Sequence, residues 1–339
     1  MRIFLALVLA FLPLLTAQAA DPKILYLAHL NKNDQADNPT AAMAVAFKRE
    51  LEARSAGAIR VEIFPEGQLG GDAQVVGLVQ KGVIQSAISS VGGMAKIYPL
   101  IGVLDFPFAF RDLKETYALF DGPFGQKFGA DIAAKSGLRV LGFGDTGGFF
   151  IVTNSKRPVR APDDMKGLRL RVMGVDSHKS FVKSLGAEPV GIAWNELYAA
   201  LRGGLADGQM NPVSIVRFGK LDEVQKFATI TNHIYTPYVW TANEAFLQSL
   251  SDDERRFVSE AARKGIEASR ALASATHESA LSAMKARMNV FQPSDKEIEA
   301  FRKIAQPAMA QLIGEKLDAE GLSWLAEFEQ AVKDAQKKK

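Results

Sequence analysis

The chain of 339 residues has no cysteine, only four histidines and a net charge of just +3. Each scarcity excludes something. Without cysteine there is no disulfide framework, no thiol nucleophile, no Cys-ligated zinc and no lipid-modified N-terminal cysteine. The chain must hold itself together by burial. Its 47% hydrophobic residues are ample for about two domains. The charge is spread along the sequence, so no basic stripe points to nucleic acid. His29, His178, His233 and His277 are scattered and make no metal spacing such as H-E-x-x-H. No metal and no cofactor is expected.

Long apolar runs are also scarce, with one exception at the start. MRIFLALVLAFLPLLTAQAA has a cation at Arg2, an apolar stretch from Ile3 to Leu15, and the small-x-small pattern Ala17-Gln18-Ala19. This reads as a secretory signal peptide over 1–20, cut after Ala19 or Ala20. It is shorter than the roughly 20 apolar residues that span a bilayer. The mature protein is therefore expected in the periplasm, free of the membrane. The KDAQKKK terminus is expected to fray in solvent.

Short β-like runs alternate with helical patterns. Lys23–Ala28, Ile59–Phe64, Ser86–Ser90, Arg139–Gly144, Phe149–Asn154 and Leu168–Val172 read as strands. Asn38-Pro39 opens a helix running to about Ser55, with Asn38 as N-cap. Further helices are expected near Asp72–Lys81, Asp112–Phe120, Gly125–Lys135, Ser177–Leu185 and Trp194–Arg202. This alternation implies βαβ units and parallel sheets. Ser251-Asp-Asp-Glu254 is a capping box, and the helix it opens runs to about Arg287. That is roughly 50 Å, longer than one small domain is wide.

Motifs for catalysis are thin. Gly142-Phe-Gly144-Asp-Thr-Gly147 matches G-x-G-x-x-G, but no helix follows to receive a pyrophosphate. The glycines read instead as a turn between lobes. Two S-x-x-K matches, Ser180/Lys183 and Ser282/Lys285, lack the other elements of that hydrolase signature. There is no G-x-S-x-G. No nucleophile comes with a recognisable base, so an enzyme is not expected.

What remains is binding chemistry. GLRLRVM, Gly167 to Met173, alternates Arg169 and Arg171 with Leu168, Leu170 and Val172. Such a strand has one apolar and one cationic face. If the cationic face meets water, the arginines are solvated; if it meets a cleft, one is a fixed guanidinium for an anion. Downstream come SLGAEP, AWNELY, ADGQMNP, DEVQKF and TNH, in that order. Upstream lie an LAH strand, FPEGQLGGD and LDFPFAF.

This ordered set resembles the solute-binding proteins of tripartite ATP-independent periplasmic (TRAP) transporters, the DctP family, over essentially the whole mature chain. The resemblance implies a two-lobed α/β fold, each lobe a β-sheet flanked by helices, with a long C-terminal helix spanning both. Lobe I would hold 21–147 and about 237–270, and lobe II 148–236 and about 271–339. Gly147-Gly148, Pro237 and the long helix would form the hinge. The implied function is capture of a small organic acid and its delivery to sodium-driven membrane subunits by a monomer. By position, Arg171 would grip the ligand carboxylate with both nitrogens, Asn211 would donate to it, and Trp194 would wall the pocket. His29, Asp72 and Ser90 fall where the first lobe lines the cleft. Where several relatives carry a second arginine, this chain has Phe149, implying a monocarboxylate with an apolar or ring-like body. The competing expectations are the binding protein of an ATP-driven importer and, more remotely, a periplasmic α/β enzyme.

Overall fold

The computed structural model describes residues 21–337, so the signal-peptide reading of 1–20 lies outside the described residues. The strands are β1 (Lys23–Ala28), β2 (Ile59–Phe64), β3 (Ser86–Ser89), β4 (Leu138–Gly144), β5 (Phe150–Asn154) and β6 (Arg169–Val172). They continue as β7 (Glu188–Gly191), β8 (Gly208–Pro212), β9 (Phe227–Thr229), β10 (Tyr238–Asn243) and β11 (Asn289–Phe291). They build two sheets, ordered β2-β1-β3-β10-β4 and β11-β9-β5-β8-β6-β7. Each sheet has helices on both faces, which gives two α/β lobes.

The sheets are mixed, not wholly parallel as the βαβ reading implied. β10 runs antiparallel to β3 and β4, and β5 antiparallel to β8 and β9. Both strands arrive from the other lobe through the short links 145–149 and 230–237. Neither link contains the helix that a parallel return requires.

Side-chain alternation assigns the cores. Leu25 and Leu27 pack with Ile88 and Trp240 on one face of the first sheet, while Ala28, Ala87 and Val239 pack on the other. In the second sheet Leu170 and Val172 join Phe150, Val152 and Met210 in one core. The intervening Arg169 and Arg171 therefore point to the opposite face.

The helix Pro39–Arg54 starts as expected, with the Asn38 side chain accepting from the Thr40 and Ala41 amides. The capping box holds the helix Asp252–Lys285: Ser251 accepts from Glu254 N, and Glu254 from Ser251 N. Val258, Ala261 and Ile266 of this helix pack on the first lobe, and Ala280 and Met284 on the second. It is the expected spanning element. Among the described residues no helix is long and apolar enough to cross a membrane.

The C-terminal segment Asp295–Lys337 departs from expectation. It is helical to Lys337, where fraying was expected, and kinks at Asp318. Phe301 and Ala305 belong to the second-lobe core, but Met309, Ile313, Trp324 and Phe328 belong to the first. Residues 309–332 thus lie with lobe I, not with lobe II as the expected division had it. The chain crosses a fourth time between Ala305 and Met309.

Candidate functional site

A cavity of about 560 Å³ lies between the two sheets. Arg171, Asn211, Trp194, Asp72 and Ser90, all expected here, line it.

Arg171 is 3% exposed and sits on β6, on the face away from the Leu170 core. Its Nε donates to the Ile192 carbonyl at 2.9 Å. Its terminal nitrogens have no protein partner among the described residues. Burial draws its pKa down to about 10, against which the charge of Asp72 pulls it up. The guanidinium stays charged at neutral pH, is held by one nitrogen and offers its planar end to the cavity. Arg169, two residues earlier, is different. It pairs with Asp207, with Nη2 at 2.8 Å from Oδ1, and donates to Gly204 O. It is a structural cation at the start of β6.

Asn211 is placed by register. It faces Ile151 across the β5–β8 ladder, while Arg171 faces Gln209 across β6–β8. These side chains share one face of the sheet. Asn211 Nδ2 donates to Gln209 Oε1 at 2.5 Å, Gln209 Nε2 to Thr153 Oγ1 at 2.8 Å, and Thr153 Oγ1 to Gln225 Oε1 at 3.0 Å. Gln225 Nε2 then reaches the Asp207 carbonyl at 3.4 Å. The glutamines of the DGQ and EVQK segments are therefore a buried relay that orients the Asn211 amide. One N–H and the carbonyl of that amide remain for a ligand. Trp194, in a short 3-10 turn, stacks on Phe218 with centroids 6.3 Å apart and planes 4° apart. That contact fixes the indole as a wall.

On the first lobe, Asp72 opens the helix Asp72–Gln80. Its carboxylate accepts from Ser90 Oγ at 2.5 Å and from Ser90 N at 3.4 Å. A Cβ at residue 93 would lie 2.8 Å from Asp72 Cβ, so Gly93 is what lets the carboxylate sit there. The group touches the cavity but is walled by protein. Burial raises its pKa, and Ser90 and then Arg171 oppose the rise.

Two expected site residues are elsewhere. His29 is fully buried, because its amide continues the sheet by bonding Phe64 O and turns the ring inward. Leu30 and Asn31 reach the cavity instead. Phe149 does not line the cavity; it packs on Tyr235 at 5.8 Å. Phe149 precedes β5 and directly follows Gly147 and Gly148, whose φ values are +115° and +100°, so it stands outside the strand's alternation. Phe150, the first residue of β5, touches the cavity.

The sequence reading missed Asn31, Thr40 and Tyr238. Asn31 Nδ2 donates to Thr40 Oγ1 at 2.8 Å and to Tyr238 OH at 2.6 Å. No local signal marks Tyr238, which shares a strand face with the core residue Trp240.

The link between the lobes runs beside the cavity. Asp145 accepts from Gly147 N at 2.6 Å, Gly148 N at 2.7 Å and Tyr117 OH at 2.5 Å. Thr146 donates to Thr236 O, and Thr236 to Asp105 Oδ1. The two short crossings are thus tied to each other.

The family model "Bacterial extracellular solute-binding protein, family 7" (DctP) matches residues 30–316. This chain belongs to that family. The C4-dicarboxylate-binding periplasmic protein DctP of Rhodobacter capsulatus is 32% identical over 78% of each chain. The sugar acid binding protein of Advenella mimigardefordensis in complex with galactonate superposes with a TM-score of 0.85. The two are 31% identical, over 93% of this chain and 99% of that one. A TRAP periplasmic solute binding protein from Polaromonas bound to D-erythronate has a TM-score of 0.83 and 29% identity, over 91% of this chain and 98% of that one. The family 7 protein described here is thus a TRAP-type binding protein for organic acids. Its relatives are solute-binding proteins of transport systems, not catalysts, and the family is periplasmic.

Proposed function

We propose that this protein captures a monocarboxylate, with Arg171 and Asn211 on the acid group, and delivers it as a monomer to sodium-driven membrane subunits. The observation that carries the reading is the Arg171 guanidinium. It is buried and, among the described residues, held at Nε alone and free at both terminal nitrogens. A charged planar fork at the floor of a cavity suits the two oxygens of a carboxylate. Asn211 adds a donor aimed by the Gln209 relay.

Kinship alone does not choose the acid, since relatives named for C4-dicarboxylates and for galactonate lie at nearly equal identity. The cavity favours one carboxylate beside Arg171, for a reason other than Phe149. Among the described residues no second arginine lines the wall; its other cations are Lys179, which pairs with Asp176, and Lys96, and the carboxylate of Asp72 stands within the field of Arg171. A second ligand carboxylate on that side would meet a like charge in a poorly solvated space.

Binding and lobe closure are the whole cycle. The acid pairs with Arg171, and closure about the Gly147-Gly148 and Thr236 crossings removes water and strengthens the pair. The ligand drives closure only by binding the closed form better. A thermal-shift screen of mono- and dicarboxylates tests the reading. A ligand at 100 times its Kd adds about 2.7 kcal/mol. Monocarboxylates are expected to raise the melting temperature. A shift from dicarboxylates alone would refute the single-acid reading.

A further inference from the structure

Besides the crossings, the lobes meet along a seam. The first lobe brings to it Gly92, the 3-10 helix Pro99–Asp105 and the loop after that helix. The second brings residues 173–181, which lead from β6 into the helix Asp176–Ser184. The inner end of the seam is polar and dry. Asp105 is fully buried, and its two oxygens accept from Thr236 Oγ1 and Ser177 Oγ, both at 2.7 Å. His178 Nε2 lies 3.3 Å from the same carboxylate. Thr236 belongs to one short crossing and is tied to Thr146 of the other, so Asp105 is continuous with both.

The chain just beyond Asp105 is plugged into the second lobe. Phe106 and Phe110 belong to the first-lobe core, but Phe108 between them belongs to the second, 6.3 Å from Phe181. The Phe108 amide donates to the His233 carbonyl at 2.7 Å, and Gln306 Nε2 donates to the Pro107 carbonyl at 2.9 Å. Phe108 has a φ of +55°, which a bulky residue keeps only where its surroundings impose it.

The outer end is different. Gly92 faces Met173 and Gly174, which follow Arg171 closely, and all three line the cavity. A Cβ at residue 92 would lie 3.2 Å from Met173 Cβ, so the lobes approach this closely because residue 92 has no side chain. This is van der Waals packing, and parting it forfeits little. Parting the inner end would strip a buried carboxylate of two hydroxyl donors and pull an aromatic ring out of a core. Opening therefore lifts the outer end and leaves the inner end joined.

We propose that Asp105 and Phe108 are the fulcrum of lobe closure, and that the bare backbone at Gly92 sets how far the cavity rim beside Arg171 can shut. Asp105 is a positioning residue, since it acts through Thr236, Ser177 and His178. This rests on the acid-capture reading and adds the axis and the stop of its closing step.

The test is interlobe distance and acid dissociation in the whole mature protein. The chain has no cysteine, so paired nitroxide labels go where they are put. Gln68→Cys and Glu196→Cys are both exposed, and their neighbours Gly67 and Asn195 line the cavity from opposite lobes. Hexanoate, gluconate and succinate are the probes, and the tightest binder is used throughout. In wild type it should give one short, narrow distance by pulsed EPR. Asp105→Ala should broaden that distance and release the acid about tenfold faster with little change in association rate. Asp105→Asn keeps an acceptor for Thr236 and offers its amide to Ser177, so it should restore both readings. Gly92→Val, at the half-buried outer end, should leave the bound distance longer and speed release; it reads the same closure if Asp105→Ala does not fold. Adding Met173→Ala to Gly92→Val should return the distance to that of Met173→Ala alone. The proposal is overturned if Asp105→Ala lowers the melting temperature but leaves distance and release as in wild type, or if Gly92→Val closes as wild type does. If no probe binds wild type, or Arg171→Met holds the probe as tightly, the acid-capture reading fails and the proposal with it.

Discussion

Arg171 differs from Arg169 by two residues and by almost everything that matters to a ligand. Both lie on the same strand face, yet Arg169 is neutralised by Asp207 at the start of β6 while Arg171 is buried with its fork unpaired among the described residues. The strand's alternation was readable in GLRLRVM; that Arg171 rather than Arg169 meets the cavity came only from the resemblance, because alternation does not say how far β7 and β8 cover the face. The polar relay behind Asn211 was legible only as the letters of DGQMNP and EVQK. Replacing Gln209 by Leu should cost about 1–3 kcal/mol of stability, since Asn211 and Thr153 lose buried partners. It should also weaken acid binding although Gln209 lies outside the cavity wall, as titration of the variant would record. His29 is a different case. Burial draws its pKa from 6.5 to about 4, so the folded ring is neutral where the unfolded ring takes a proton. Its contribution to stability is complete above pH 6.5 and is lost as the pH falls toward 4. The loss is on the order of 2–3 kcal/mol. His29→Leu should flatten the decline of melting temperature between pH 7 and 4.5 relative to wild type; an unchanged slope would place the titration elsewhere.

Among the elements, the crossings are where sequence reading and structure part company. The glycines of GFGDTGG were legible as a turn, but Phe149 was assigned to the cleft from the position where relatives carry a second arginine. It lies between two left-handed glycines and the start of β5, so the likeness in position does not carry its side chain into the cavity. The pair also makes a discriminating test. A Cβ at residue 147 would lie 2.0 Å from Ser214 Oγ, whereas one at 148 meets nothing within 4 Å. Gly148→Ala should cost roughly 1 kcal/mol for its positive φ alone. Gly147→Ala should cost clearly more and shift the crossing against Ser214. Chemical denaturation of the two variants would separate the effects. The capped helix Asp252–Lys285 was fully legible, because its capping box and lack of breakers are local. Ser251→Ala should lower stability by about 1 kcal/mol.

For the whole molecule, the two-lobed plan came through from the order of short strands and helices, together with the ordered motifs of the family. The mixed sheets did not, since strand direction is decided by how a chain returns from a neighbouring lobe. Nor did the last helix. Its apolar residues face one lobe before the crossing and the other after it, so no single stripe identifies it. Phe328 and Trp324 anchor it among Phe124 and Phe128. Phe328→Ala should cost about 3–5 kcal/mol, read by denaturation, although it lies in the C-terminal helix far along the chain. Two short crossings and two long helices joining the lobes suit a small, reproducible closure more than a wide swing.

The most direct measurement is calorimetric titration of the acid that the screen selects into wild type and Arg171→Met. Arg171→Met removes a buried charge but also the donor to the Ile192 carbonyl and the charge opposing Asp72, so the fold should remain intact with a stability change of about 1–3 kcal/mol. Removing a bidentate charged pair costs about 3 kcal/mol or more of binding, a hundredfold or more in Kd. The account predicts that loss in a variant that still unfolds cooperatively. Retained affinity, within about threefold of wild type, would contradict it.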